Sequence, residues 1–346
     1  MKKASIKDVA REAGVSAATV SYVLNNHPRE SISPETAARV QAAVTKLDYV
    51  PNLNARSLSS RRTHLIGVII PQTEPGQEFM FSNPFYGDLL SAIEFTARQN
   101  GYHILLSGTN SDQSYISIAR NRGVDGIIVV GVYPSHSLDE LRQIDVPIIL
   151  IDSYVTDPRF HTIGINDKEG GRLATEYLLS MGHREIAFVS GSIMEYGVNS
   201  KRYEGYAQAL QAAGLPVNEA RLYTGNVDFD YGILAAQQVI SRGRQETAAF
   251  VTADILALGF VKGLNALQFR VPSDLSVVSF DDVYLARICD PSLTTVRQDI
   301  ARKGSSAVQI IIDCKDAKSA QKQEIILPIK LVQRASVAFN PGGNRC

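Results

Sequence analysis

Asp281 and Asp282 stand side by side in "LSVVSFDDV", and divalent-cation sites and acid–base catalysts are built from paired carboxylates. The stretch reads as a β-strand, however. Neighbouring strand side chains face opposite ways, so the two cannot grip one ion. The six histidines, His27, His64, His103, His136, His161 and His183, are scattered and never paired at ligand spacing. His183, in "GHREI", reads as a hydrogen-bonding loop residue rather than a catalyst. Cys289, Cys314 and Cys346 form no CxxC pair, which speaks against a zinc site or disulfide framework and for a reducing compartment. The chain has no G-x-S-x-G elbow, P-loop, G-x-G-x-x-G after the first strand, or H-E-x-x-H. These residues predict a protein that is not an enzyme and uses no metal or cofactor.

Charge points to a different chemistry. The 346 residues sum to a net charge of zero. Residues 1–62 nevertheless hold ten Lys and Arg against five Asp and Glu, a net +5 that leaves −5 for the rest. A basic head on an acidic body predicts that only the head meets a polyanion. Within the head, "SIKDVAREAGVSAATVSYVLNN" supplies what a helix-turn-helix needs: small Ala10 where the helices approach, Gly14 in the turn, and Ser16 to start the second helix. The outward positions of that helix, Ala17, Ala18, Thr19, Ser21, Tyr22 and Asn25, are small or polar, as a groove-facing surface requires. An αα-hairpin is the competing reading, and the basic charge of the segment weighs against it.

Three head helices must position this surface. Ser5 and Asp8 have capping-box spacing, and Ile6, Val9, Ala10 and Ala13 repeat at helical intervals. Val20, Val23 and Leu24 form the inward stripe of the second helix. Ser33-Pro34-Glu35 starts a third helix, on which Ala37, Val40, Val44 and Leu47 share a face. The following "PNLNARSLSSRR" is polar, basic and too short to be a stable helix alone. From Thr63 the pattern becomes βαβ, with apolar runs at 65–70, 103–107, 125–130, 147–152, 185–191, 248–254 and 275–282. These predict an α/β body of two doubly wound parallel-sheet lobes with a ligand between them, at the carboxyl ends of the strands. The first lobe is expected at about 63–163 plus 292–323 and the second at about 164–291 plus 324–340. No run approaches the roughly 18 apolar residues of a membrane span. The N-terminus lacks a secretion signal's apolar core, so a cytoplasmic location is expected.

"IKDVAREAGVSAATVSYVLN", "SPETAARVQAAVTKLDYVPNLNARSLSS", "GHREIAFVSG" and "VVSFDDV" together resemble the lactose-repressor/galactose-repressor (LacI/GalR) family, from Ile6 to about Phe339. The resemblance implies a helix-turn-helix DNA-binding domain over 1–51, a hinge helix over 52–62, and a body over 63–340 with the fold of periplasmic sugar-binding proteins. It implies that Ala17, Ala18 and Tyr22 read bases and that Thr19, Ser21 and Asn25 hold phosphates. Ala55 and Leu58 belong to the "ARSL" hinge, and Leu58 wedges into the minor groove beside its dimer mate. Many relatives carry a cation after this leucine, where this chain has Ser59.

For the body, the resemblance assigns Phe85, Tyr86, Asp152, Tyr196, Arg202, Asp254 and Asp281 to a small-molecule effector. Carboxylates and guanidinium forks suit a polyhydroxylated ligand. Tyr196 replaces the arginine of purine-binding relatives, Ala253 replaces a polar neighbour, and Val227 and Phe229 compete for the place of an aromatic wall. A carbohydrate is therefore the expected effector. A homodimer on a palindromic operator is also implied, with operator affinity switched by the effector. The alternatives are a regulator of this fold controlled by a partner protein or a nucleoside, and a solute-binding protein, which would need a secretion signal.

Overall fold

Gly126–Val130 and Ile186–Ser190 are buried at every position, as parallel strands covered by helices on both faces must be. The computed structural model describes residues 4–24, 32–49, 62–71, 79–109, 123–131, 138–193, 197–243, 245–316 and 321–344. The chain divides into two compact units, Met1–Thr63 and His64–Cys346.

The first unit holds α1 (Ile6–Ala13), α2 (Ala17–Leu24) and α3 (Pro34–Lys46). Val9, Ala10, Ala13, Val20, Val40 and Ala43 form its buried core. Asp8 accepts hydrogen bonds from both the backbone N–H (2.9 Å) and the hydroxyl (2.6 Å) of Ser5. Gly14 ends α1 at φ +65°, a conformation that only glycine adopts without penalty. A 2.6 Å ion pair from Lys46 to Glu12 ties α3 to α1.

In the second unit, β1 (Leu65–Pro71), β2 (His103–Thr109), β3 (Gly126–Val130), β4 (Ile148–Ile151) and β5 (His161–Ile165) form a sheet with β11 (Glu324–Leu327). Its order is β11-β5-β4-β3-β1-β2, parallel throughout. A second sheet takes β6 (Ile186–Ser190), β7 (Leu222–Thr224), β8 (Ala248–Val251), β9 (Ser276–Asp281), β10 (Thr294–Gln298) and β12 (Ile329–Val332), in the order β12-β10-β9-β8-β6-β7. Only β12 runs antiparallel to its neighbour. The helices are α4 (Pro84–Gln99), α5 (Leu138–Leu141), α6 (Asp167–Ser180), α7 (Val198–Ala212), α8 (Phe229–Ser241), α9 (Asp254–Ala266), α10 (Tyr284–Ile288) and α11 (Ile300–Lys315).

The lobe boundaries differ from the sequence reading in two places. Thr294–Gln298, expected in the first lobe, is β10, paired in parallel with β9 (Thr294 opposite Val278) in the second sheet. Glu324–Leu327, expected in the second lobe, pairs with β5 in the first. Both strands are short and mix Thr, Arg, Glu or Gln with their apolar residues, so they read as connectors. The chain therefore crosses between lobes after β5, after β10, and at Pro328 between β11 and β12.

The α6–α7 crossing positions the functional side chains. A Cβ on Gly205 would lie 1.9 Å from the Lys168 carbonyl oxygen, and one on Gly171 would lie 2.1 Å from that of Arg202. Both glycines allow backbone-to-backbone approach, and this brings Arg202 on α7 beside the start of α6. Gly205→Ala must separate the helices. Urea unfolding should show a loss of about 1–3 kcal/mol, and a variant as stable as wild type would contradict this packing.

Candidate functional site

In the first unit, the Ser16 hydroxyl accepts from the Thr19 backbone N–H (3.0 Å) and meets its hydroxyl at 2.9 Å, starting α2. Val20 is fully buried, and Ala17 packs partly against the core. Ala18 is exposed, while Thr19, Ser21 and Tyr22 are half-buried. The side of α2 away from the core is therefore uncharged and low in profile, a shape that fits a DNA groove. Asn25, Ala55 and Leu58 lie outside the described residues.

In the second unit, charged side chains gather at the C-terminal ends of the strands, where parallel sheets hold ligands. Asp152 follows β4 at φ +53°, and Asp281 ends β9 at φ +115° with Asp282 at +63°. Positive φ in residues with a Cβ costs energy, and such positions concentrate at ligand sites. Arg202 is buried. Its Nε donates to Asp167 Oδ1 (2.8 Å) and one terminal nitrogen donates to the Thr252 carbonyl (2.6 Å). Its guanidinium carbon sits 3.7 Å from the Phe280 ring centre. The Tyr154 hydroxyl donates to the other oxygen of Asp167 at 2.7 Å. On the opposite side, Lys303 Nζ donates to Asp152 Oδ1 (2.5 Å) and to Gln298 Oε1. Gln298 Nε2 in turn donates to Asp281 Oδ1 at 2.5 Å. The Lys303–Gln298 and Tyr154–Asp167 bonds join the two lobes.

Burial pushes the Asp281 carboxyl up to about 6, against the pull of Arg202. Burial also raises Asp152, opposed mainly by Lys303. Charged oxygens held this way gain from any hydroxyl that donates to them.

Asp152, Arg202 and Asp281 thus come together as the sequence suggested. Phe85, in the first turn of α4 after the Asn83 cap, is largely buried, its ring 5.7 Å from Lys303 Nζ and edge-on to Tyr86. Tyr196 lies outside the described residues. Asp254 is a correction. It is fully buried and accepts from Ser279 Oγ (2.5 Å), Thr295 Oγ1 (2.9 Å) and Val283 N–H (2.8 Å), so its carboxylate fastens α9 to β9 and β10 and is spent on the protein. Asp281 and Asp282 take different partners, although Asp282 lies beyond the end of β9 and the strand alternation does not apply to it. Asp282 takes Arg297 and Arg334, with Arg287 at 3.7 Å. His183 bonds Thr247 and the Ala338 carbonyl, the loop role read from "GHREI".

Sequence reasoning missed Asp167, Tyr154, Gln298 and Lys303. Lys303 left a trace: it interrupts the buried stripe Ile300, Gly304, Ala307, Val308 and Ile311 on α11. Asp167 follows strand "HTIGI" in the first turn of α6, where an acidic residue is ordinary and gives no local signal of function.

Residues 5–52 match the profile of bacterial regulatory proteins of the lacI family, and 175–337 match that of the periplasmic binding protein-like domain. The HTH-type transcriptional repressor PurR of Pectobacterium carotovorum is 34% identical over 98% of this chain and 98% of its own. The chain belongs to the lacI family of bacterial regulatory proteins. Catabolite control protein A of Priestia megaterium is 33% identical over 96% of this chain and 98% of its own. The lac repressor dimer bound to operator and the anti-inducer ONPF matches with a TM-score of 0.83 at 26% identity, covering 97% of this chain and 100% of that one. The transcriptional regulator CelR–cellobiose complex matches at 0.70 and 28%, over 96% and 99%. This lacI-family protein is a DNA-binding transcriptional repressor with an effector-binding domain, and the relatives it matches are transcriptional regulators. Among the described residues no helix is long and apolar enough to cross a membrane.

The raised pKa of Asp281 fixes a pH signature. Between its ordinary 3.8 and about 6 the folded protein keeps a proton that the unfolded chain has released, so this group's contribution to stability falls as pH rises through that window. Asp281→Asn escapes the loss. Its unfolding free energy should gain on wild type by about 3 kcal/mol across the window. A difference independent of pH, measured by urea unfolding, would show that Asp281 is not held this way.

Proposed function

We propose that the protein is a cytoplasmic, homodimeric regulator whose affinity for a palindromic operator is switched by an uncharged carbohydrate bound between the two lobes. The carrying observation is the convergence of Arg202, Asp152 and Asp281 at the strand ends of both sheets, with the aromatic pair Phe85–Tyr86 on the neighbouring helix. Such groups recognise adjacent hydroxyls and the apolar face of a sugar ring. The likeness to a regulator solved with cellobiose supports the ligand class, and the likeness to a repressor dimer on operator supports the partner. Tyr284, Leu285 and Ile288, exposed on α10, offer apolar surface of the kind a second protomer covers.

At the DNA, Ala18 and Tyr22 carry the base readout and Ala17 contributes at the edge of the contact. Thr19, Ser21 and Asn25 set the register on phosphates, and Leu58 opens the central step in the minor groove. Selection of random duplexes by the full-length protein should return a two-fold symmetric site. Affinity for that site should fall about 10³–10⁵-fold between 50 and 200 mM salt if 6–10 phosphates are engaged. Tyr22→Ala should weaken the selected site much more than random DNA. Enrichment of no symmetric site, or equal losses on both DNAs, would refute this assignment.

A further inference from the structure

The Lys303 side chain is wholly buried, and its ammonium sits in the effector cluster itself. A lysine in an apolar stripe is costly unless its charge is matched. Here Asp152 supplies the match and Gln298 a further acceptor. Arg202, the other cation of the cluster, is engaged by Asp167, by the Thr252 carbonyl and by the face of Phe280. Each positive charge is already matched. A phosphate or carboxylate would enter a buried cluster in which Asp152, Asp167 and Asp281 outnumber the two cations, so its own charge would go unmatched. The acceptor side is different. Among the described residues, no hydrogen bond reaches Oδ2 of Asp152 or of Asp281, while Oδ1 of each is taken. Oδ2 atoms of this kind accept from hydroxyls. An ammonium would suit them too, but that place beside Asp152 is already held by one on a tether.

We propose that Lys303 is the specificity-determining residue of the cleft, a tethered ammonium that makes the site select uncharged polyols over both sugar phosphates and amino sugars. The inference rests on the cleft being the effector site. It adds a residue with a definite consequence: without Lys303, the same pocket presents an unpaired carboxylate and takes an amine.

Three full-length proteins test this: wild type, Lys303→Ala, and Lys303→Met/Asp152→Asn, in which the pair is removed without leaving a charge. The first arm needs no effector. Propylammonium chloride should raise the thermal midpoint of Lys303→Ala by about 2–4 °C over equimolar sodium chloride, as expected for a ligand near ten times its Kd. Wild type and the double variant should not respond. An equal response in all three proteins, or none in Lys303→Ala, overturns the proposal. If Lys303→Ala does not fold unaided, refolding with propylammonium must recover it where sodium chloride does not, and failure to do so counts against the proposal.

The second arm is calorimetry with glucose, cellobiose, glucose 6-phosphate and glucosamine. Wild type should bind the phosphate and the amino sugar at least tenfold more weakly than the neutral parent, and Lys303→Ala should reverse the order for glucosamine. Tighter binding of glucose 6-phosphate than of glucose by wild type would overturn the proposal. If no sugar binds wild type, the carbohydrate reading fails alone, and the propylammonium arm still decides the role of Lys303.

Discussion

Two buried cations held among strand-end aspartates are the constraint on which the body of this protein depends. Arg202 and Lys303 come from helices of different lobes, and each is pinned by a carboxylate that the fold must deliver to within hydrogen-bond reach. Breaking such a pair strands an uncompensated charge, at a cost of about 3–5 kcal/mol. The surrounding architecture makes these pairs possible. Gly171 and Gly205 allow α6 and α7 to touch, β4 and β9 end in positive-φ aspartates, and Asp254 locks α9 against β9 and β10.

The same cluster explains how a two-lobed body can respond to a small molecule. Its links cross from one lobe to the other through Lys303–Gln298 and Tyr154–Asp167. A ligand that donates hydroxyls to Asp152 and Asp281 touches both ends of that chain of bonds. Its binding energy then depends on how the lobes close, and a population of closed bodies is something that operator binding can read.

Much of this was legible in the sequence because local rules agree with the fold. Ser5, Gly14, Ser16 and Ser33-Pro34 punctuate the head helices as helix physics demands, and short β-branched apolar runs such as "GIIVV" read as buried strands. Legibility failed where a residue's role is set by a distant partner. "TTVRQ" gains its strand identity from β9, and "EIIL" from β5, neither of which a local pattern reveals. Asp254 sits at a strand-to-helix turn like a ligand carboxylate, but hydroxyls from Ser279 and Thr295, 25 and 41 residues on, consume it. Lys303 violates the apolar stripe of its helix, and such a local violation is where function shows through a folding pattern.

The most direct measurement is a fluorescence-anisotropy titration of the selected operator duplex, with and without a saturating carbohydrate ligand, for wild type and Arg202→Gln. The account predicts that the ligand changes wild-type operator affinity by about 5–150-fold and leaves that of Arg202→Gln unchanged from its own ligand-free value. An equal ligand response in the two proteins would place the effector elsewhere and contradict the account.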